Sequence, residues 1–111
     1  MSLDRIFKTL LKLELSKTDA QVYIYLATKG PAKASVISYN LKMNKQQIYR
    51  SLKTLKVKKI IKSNLEHPAI FTAVSFEKTL QTLIRIMENN AEKIEEKKNE
   101  YLSLWNLNMK N

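Results

Sequence analysis

The sequence of 111 residues contains no cysteine, one glycine and two prolines. The absence of cysteine excludes disulfide bonds and thiolate metal sites. The scarcity of glycine and proline disfavours an all-β fold, which needs many tight turns, and one glycine cannot build a phosphate-cradling loop. The chain also lacks an apolar run near the roughly 20 residues of a membrane-spanning helix, and its start shows no export signal. We therefore expect a cytoplasmic protein with no membrane partner.

Acidic residues are absent between Ala20 and Leu65, a segment that we name the acid-free span. The net charges of the two flanking segments cancel, at +1 for residues 1–19 and −1 for residues 66–111. The span therefore carries the whole net charge of +10. A general preference for lysine does not explain this partition, because glutamates recur from Glu77 to Glu100. A polyanion is the natural partner of such a surface, and we place nucleic acid first. The charges are those of Lys29, Lys33, Lys42, Lys45, Arg50, Lys53, Lys56, Lys58, Lys59 and Lys62.

An enzymatic role has little support in this composition. The chain has room for one small domain and not for a large catalytic cleft. His67 is the only histidine, and neither Ser35 nor Ser51 has an evident general base beside it. We predict no enzymatic activity, no catalytic residue, no metal site and no cofactor.

Apolar residues at helical spacing predict two helices within the first 30 residues. The first is short and amphipathic, from Leu3 to about Lys12. Ser16 resembles an N-cap with an acid, Asp19, three residues later, and it opens the second helix. Gly30, as a left-handed cap followed by proline, ends that helix. The residues expected on its apolar face are Ala20, Tyr23, Ile24 and Ala27, with Val22 and Leu26 beside them.

Two further helices follow within the basic segment. The third spans residues 34–41, with Ala34, Val36, Ile37 and Leu41 as its apolar set. Asn44 and Gln47 form a capping box, so a fourth helix begins at Lys45 and runs to about residue 58. At about 100° per residue, its buried seam is Ile48, Leu52 and Leu55, and Gln46, Arg50 and Lys53 lie opposite, with Gln47 and Tyr49 on the shoulders.

After Lys59 the pattern changes from helical to extended. Residues 60–63 and 70–74 are rich in β-branched and aromatic side chains, and the turn-like residues 64–68 join them. This pattern predicts a β-hairpin. The order of helices and hairpin is that of a winged helix-turn-helix, in which a recognition helix enters the major groove and the wing lies on the backbone or minor groove. The predicted fold class is therefore mainly α with a small β wing.

A long helix, capped by Ser75, is predicted from Phe76 to about Leu107. At about 1.5 Å per residue it spans roughly 48 Å, more than so small a domain can cover. We predict a coiled-coil-like homodimer through this helix; the alternative is a helix that bends near Asn89 and folds back on its own domain. The seam comprises Leu80, Ile84, Met87, Ala91, Ile94, Tyr101 and Trp105, with Lys98 as its one charged member. The predicted segments are residues 1–75, a winged domain with an N-terminal helix, and residues 76–111, a dimerisation helix.

Four stretches resemble a known family: residues 15–23 (LSKTDAQVY), 29–35 (KGPAKAS), 48–55 (IYRSLKTL), and Phe71 before Ala73 and Val74. They are similar to the DNA-binding domain of the archaeal TrmB-type transcriptional regulators, within the MarR-like winged-helix group. The resemblance covers roughly residues 12–80. It implies a nucleoid-associated regulator of transcription that binds double-stranded DNA.

The sequence departs from that family at two glycine positions, occupied here by Glu14 and Lys59. We expect Lys59 to adopt a left-handed conformation at some cost in free energy. Many family members also carry a C-terminal sugar-binding domain, and the present sequence ends after its long helix. The resemblance therefore carries over no effector site, and any small-molecule effector stays unknown.

The resemblance and the polar face of the fourth helix imply the same division of roles. Glutamine and arginine read adenine and guanine through paired hydrogen bonds, whereas lysine and hydroxyl groups more often hold phosphates. The predicted base-reading residues are Gln46, Gln47 and Arg50. The predicted phosphate contacts are Lys33, Ser35, Lys45, Tyr49, Lys53, Lys62 and His67.

Two alternative functions remain open from the sequence. Winged helices also act as protein-interaction adaptors, and a long apolar seam is itself a surface for a hetero-partner. A MarR-like regulator could instead hold a small ligand near Tyr101 and Trp105, between the dimer helices and the domain.

Overall fold

The computed structural model describes residues 3–109, so Met1, Ser2, Lys110 and Asn111, which the two predicted segments include, lie outside the described residues. The predicted fold class, mainly helical with a small antiparallel wing, is confirmed. A two-residue strand before the third helix was not predicted. In chain order the elements are α1 (Leu3–Lys12), α2 (Lys17–Lys29), β1 (Ala32–Lys33), α3 (Ala34–Leu41), α4 (Lys45–Val57), β2 (Ile61–Ser63), β3 (Ile70–Ala73), α5 (Phe76–Glu96) and α6 (Lys98–Met109).

Side-chain N-caps begin three of the helices, as predicted. In each case the cap oxygen accepts a hydrogen bond from the backbone N–H three residues later, a group that has no partner inside the helix. The bonds join Ser16 Oγ to the N–H of Asp19 at 3.0 Å, Asn44 Oδ1 to that of Gln47 at 2.8 Å, and Ser75 Oγ to that of Lys78 at 3.3 Å.

Within residues 3–109, four residues have positive φ angles, and one of them is glycine. Gly30 ends α2 with φ 95° and ψ −178°, a region open essentially to glycine alone; it is not the left-handed helical cap that we predicted. Lys59 has φ 64° and Glu14 has φ 74°, so the expected left-handed conformation of Lys59 is confirmed. Lys42, the C-cap of α3, has φ 56°.

The core forms around α2, which packs on α1, α3, α4 and β3. Val22 and Leu26 belong to the buried face of α2, whereas Ala27 is exposed, so the apolar face is rotated relative to the predicted one. Val36 of α3 is likewise exposed. The buried apolar residues are Leu10, Leu15, Ala20, Val22, Tyr23, Leu26, Ala34, Ile37, Ile48, Leu52, Leu55, Ile60, Ile61, Phe71 and Leu83.

The wing is a three-stranded antiparallel sheet in the order β1-β3-β2. Phe71, at its centre, pairs with Ala32 of β1 and Ser63 of β2 and lies on the core face. Because side chains alternate between the faces of a strand, the register places Lys33 and Lys62 on the opposite, outer face. These two lysines lie at the two edges of that face.

The C-terminal helix is interrupted, and it does not fold back on the domain. The predicted single helix is two helices, because Lys97, with φ −103° and ψ 9°, ends α5 and separates it from α6. All residues from Met87 to Met109 are exposed. Within residues 3–109, no helix is both long enough and apolar enough to cross a bilayer.

Candidate nucleic-acid interface

The outer face of α4 is polar, basic and open to solvent. Its inner seam of Ile48, Leu52 and Leu55 is buried, as its spacing predicts. This burial fixes the rotation of the helix about its axis, so the opposite residues must face outward. The exposed side chains on and beside this outer face are Lys45, Gln46, Tyr49, Arg50 and Lys53. The structure therefore brings five of the ten residues predicted to read bases or hold phosphates onto one side of α4.

A polar cleft of about 300 Å³ lies along one shoulder of α4, against the start of α2. Its α4 side is a single stripe at helical spacing, and its other wall comes from the cap of α2. Gln47 Nε2 donates to Thr18 Oγ1 at 3.3 Å, so this predicted base reader is partly engaged within the protein. The lining residues are Ser16, Thr18, Asp19, Gln47, Arg50, Ser51 and Thr54.

Asp19 is the buried acid of this cleft, and the sequence analysis missed its role. Ser51 Oγ donates a 2.6 Å hydrogen bond to Asp19 Oδ1, and the Asp19 residue is only 8% exposed. We interpreted Asp19 as a capping acid and Ser51 as a hydroxyl without a base. The available signal was the spacing of Gln47, Arg50, Ser51 and Thr54, which places all four on one stripe of α4.

The other shoulder of α4 is apolar and leads to the wing. Tyr49, half exposed at 53%, and the exposed Val57 line a groove together with Phe71 of β3. Lys53 and Lys56 lie along the same groove. Tyr49 is thus positioned between the basic face of α4 and the wing.

The turn at the tip of the wing is ordered by one side chain. Asn64 Oδ1 accepts hydrogen bonds from the N–H of Glu66 at 3.2 Å and from the N–H of Ile70 at 2.9 Å. Lys62 on β2 and His67 in the turn are both exposed. Glu66 places one acid in the turn beside them.

Lys33 and Ser35 lie at the start of α3, where both are exposed. Lys33 is the N-cap residue and has no side-chain capping bond. The free N–H groups of a helix start favour anions. The sheet register separates Lys33 from Lys62, since they occupy opposite edges of the sheet.

The positive charges of the acid-free span have no carboxylate partners in the described part of the chain. The ion pairs of residues 3–109 join Lys8 to Asp4 at 3.1 Å and Lys98 to Glu95 at 3.9 Å, both outside the span. The same residues hold no cluster of acidic, histidine or cysteine side chains able to bind a metal ion. The span therefore presents unneutralised charge to a partner.

The predicted dimer seam is exposed along most of its length. Leu80 is half-buried, and the buried residues of α5 are Thr79 and Leu83, neither of which belongs to the predicted seam. Lys98, the charged member of the seam, pairs with Glu95 on its own chain. The exposed apolar seam residues include Ile84, Met87, Ile94, Tyr101 and Trp105.

A family model described as "Sugar-specific transcriptional regulator TrmB" matches residues 10–77 of the chain. Among curated proteins none matches the chain in sequence. The match covers the second to fourth helices and the wing, the part of the chain that contains the interface described above.

Solved structures share the fold at low sequence identity. TrmBL2, an archaeal chromatin protein whose structure is described as showing a novel mode of DNA binding, has a TM-score of 0.76 and 22% identity, over 96% of this chain and 43% of its own. A possible transcriptional regulator from Methanosarcina mazei Go1 has a TM-score of 0.62 and 22% identity, over 80% and 81%. The MarR family regulator NMB1585 from Neisseria meningitidis has a TM-score of 0.55 and 18% identity, over 85% and 67%. The chain thus spans less than half the length of TrmBL2.

Proposed function

Because the chain belongs to the TrmB family of transcriptional regulators, we propose that it is a dimeric protein that binds double-stranded DNA sequence-specifically and regulates transcription without enzymatic activity. The observation that carries the proposal is the solvent-exposed face of α4, whose lysine and arginine side chains form no ion pair within residues 3–109. The DNA binding stated for TrmBL2 supports the same partner for this chain.

In this proposal α4 enters the major groove, which at about 12 Å is wide enough for a helix. Gln46 and Arg50, opposite the buried seam, read base edges. Gln47 joins them through its side-chain oxygen and its second amide N–H, because the first N–H is donated to Thr18 Oγ1. Lys45, Tyr49 and Lys53 flank this set and hold phosphates.

The wing and α3 supply the remaining backbone contacts. Lys62 and His67 are exposed on the wing and reach the backbone or the minor groove. Lys33 and Ser35, at the start of α3, bind a phosphate with the help of the free N–H groups there. The contact of the wing with DNA is weakened by the charge of Glu66, which makes α4 the main reader.

Residues 1–75 form the DNA-binding unit in this proposal, and residues 76–111 join two copies. α5, with 21 residues, is about 32 Å long at 1.5 Å per residue.

α6 differs from a helix of a two-stranded coiled coil, whose apolar residues form one narrow stripe. The exposed apolar residues of α6 cover an arc of about 220° around the helix at ~100° per residue. We propose that α6 packs against more than one helix of the dimer. The α6 residues, each between 46% and 66% exposed in the single chain, are Tyr101, Leu102, Leu104, Trp105, Leu107 and Met109.

The dependence of DNA affinity on salt tests the proposal. For six to ten phosphate contacts, affinity for duplex DNA falls by about 10³ to 10⁵ between 50 and 200 mM salt. Lys53→Gln should reduce the slope of log affinity against log salt by about one contact. Lys12→Gln, an exposed lysine outside the acid-free span, is the matched control and should leave the slope unchanged. Absence of duplex binding at low salt, or a flat salt dependence, contradicts the proposal.

The exposed apolar surface of α6 favours one alternative, a protein-interaction adaptor whose C-terminal helices bind a different protein. Sedimentation of the purified chain separates the two functions. A stable homodimer supports the DNA-binding regulator, whereas a monomer supports the adaptor. A MarR-like ligand site near Tyr101 and Trp105 predicts in addition that a small molecule changes DNA affinity.

A further inference from the structure

The burial of Asp19 is not explained by helix capping. In a capping box the carboxylate at this position accepts a hydrogen bond from the N–H of the cap residue, whereas the Asp19 carboxylate accepts from Ser51 Oγ on α4. Burying a carboxylate is unfavourable unless hydrogen bonds or charges compensate for the lost water. The Ser51 hydroxyl supplies one hydrogen bond, to Oδ1. An ionised carboxylate accepts several hydrogen bonds through its two oxygens, so Asp19 retains accepting capacity inside the cleft.

Arg50 is the cation that lines the same cleft. It follows Gln47 by three residues on α4 and precedes Ser51, the residue that binds Asp19. Arg50 is exposed, and within residues 3–109 it forms no ion pair. The cleft is open to water, which screens the attraction between the two charges in the free protein.

We propose that Asp19 is a positioning residue for Arg50: when DNA covers the cleft, the guanidinium donates from one edge to the Asp19 carboxylate and from another to a guanine. The guanidinium has five N–H donors in a rigid fork, and bidentate recognition of guanine N7 and O6 uses two of them. The others remain for Asp19. Exclusion of water by the bound duplex strengthens the charge-assisted hydrogen bonds. This inference rests on the proposed function, because it assigns a role within the same DNA-reading surface.

The proposal gives Asp19 opposite effects on affinity and on specificity. Its negative charge repels every phosphate, so it weakens binding to random DNA. Its hold on Arg50 restricts the side chain to the orientation that guanine requires, so it favours the correct site. If Asp19 only joined α2 to α4, its replacement would instead change the stability of the protein and alter the affinity for all DNA sequences alike.

The experiment measures the affinity of the full chain for a duplex selected from random sequences. It then measures the affinity for a series of variants of that duplex, in each of which one G·C pair is replaced by A·T. Asp19→Asn should raise affinity for random DNA a few-fold and lower the preference for the guanine that Arg50 reads by about tenfold, within the range of one bidentate contact. Glu14→Gln, which removes an exposed acid before α2, is the charge-matched control. It should raise affinity for random DNA without changing the preference.

A double-mutant comparison separates positioning from folding. In an Arg50→Ala background, Asp19→Asn should not reduce the preference further, because the residue that it positions is gone. Ser51→Ala keeps the charge of Asp19 but removes its hydroxyl donor, and it should lower the preference by about threefold, a smaller effect than the roughly tenfold loss expected from removing the carboxylate. An unchanged preference in folded Asp19→Asn or Ser51→Ala overturns the inference, as does an equal loss in the Arg50→Ala background.

A spectroscopic measurement reports the contact directly. The sequence has three arginines, Arg5, Arg50 and Arg85, so their Nε–H signals in a nitrogen-15 NMR spectrum are few enough to assign. In the complex with DNA, Asp19→Asn should shift the Arg50 signal and leave that of Arg85 in place; a signal of Arg50 that does not change overturns the inference. Failure of the wild-type chain to bind any duplex would instead contradict the proposed function, so the two failures are distinguishable.

Discussion

The hydroxyl of Tyr23 donates a 2.7 Å hydrogen bond to the backbone carbonyl of Val74. Val74 lies between β3 and α5, and its own N–H donates to the carbonyl of Ile60 at the start of the wing. The Thr79 hydroxyl also donates to the Val74 carbonyl, at 3.3 Å. One core side chain therefore connects α2, the wing and the start of the C-terminal helix.

Tyr23→Phe should lower the free energy of unfolding by about 1 kcal/mol, the net value of one hydrogen bond. Urea denaturation at neutral pH measures the change. Tyr39→Phe is the matched control, because Tyr39 is 82% exposed; it should have little effect.

The same substitution should change the response of stability to alkaline pH. Burial raises the pKa of the Tyr23 hydroxyl above its ordinary value of 10.0, although the neighbouring Thr79 side chain partly offsets this. The folded state thus keeps its proton at pH values where the unfolded chain has lost it. The contribution of Tyr23 to stability is complete below pH 10 and is lost as the pH rises through the raised pKa. Wild-type stability should therefore fall more steeply above pH 10 than that of Tyr23→Phe, and parallel curves contradict the prediction.

Glycine at Lys59 should stabilise the protein. Lys59 has φ 64°, a conformation that costs a residue with a β-carbon about 1 kcal/mol relative to glycine. Lys59→Gly should raise the melting temperature by several degrees, as about 1 kcal/mol does in a domain of this size. Lys53→Gly, in the exposed middle of α4, removes the same charge and should instead destabilise the protein by about 1 kcal/mol. A decrease in melting temperature for Lys59→Gly would show that the lysine side chain makes a contribution larger than the strain.

Arg50 and Lys53 should have different effects on DNA binding, although both are exposed cations on α4. Arg50→Ala should lose about 1 to 3 kcal/mol of discrimination at one base pair, because a bidentate base contact is removed. Lys53→Ala should weaken binding to all sequences equally, because phosphates are the same at every site. Competition between the selected duplex and random DNA measures both effects. Equal losses on both DNAs for both variants reject the assigned roles.

The proposed dimer should depend on the apolar face of α6. Trp105→Glu places a charge in the proposed interface and should convert the dimer to a monomer in sedimentation, since an unpaired buried charge is strongly unfavourable. Ser103→Glu introduces the same charge outside the apolar arc and should leave the dimer intact. Dissociation by both variants would indicate that the added charge, and not its position, disrupts the protein.

Local signals in the sequence predicted the ends of the elements well. Ser16, Asn44 and Ser75 cap their helices through residues only three positions away, so the pattern contains all the necessary information. The left-handed conformation of Lys59 was predicted in a different way, from the glycine that the resembled family has at this position. The family resemblance is confirmed by the match over residues 10–77.

Contacts between distant residues could not be predicted in this way. Asp19 and Ser51 are 32 positions apart, and the polar stripe of α4 that includes Ser51 does not indicate which acid packs against it. Strand β1 exists only because Ala32 and Lys33 pair with β3. The break at Lys97 has no glycine or proline to signal it, and the heptad pattern continues across it.

Asn64 holds the turn at the tip of the wing in one conformation without a partner, because its Oδ1 accepts hydrogen bonds from the N–H groups of both Glu66 and Ile70. A loop that orders itself only on contact loses backbone conformational entropy at that moment, at about 1 to 2 kcal/mol per residue. This turn has lost that entropy during folding. Even a weak contact of Lys62 or His67 with a partner then adds to the affinity, because little ordering of the loop opposes it.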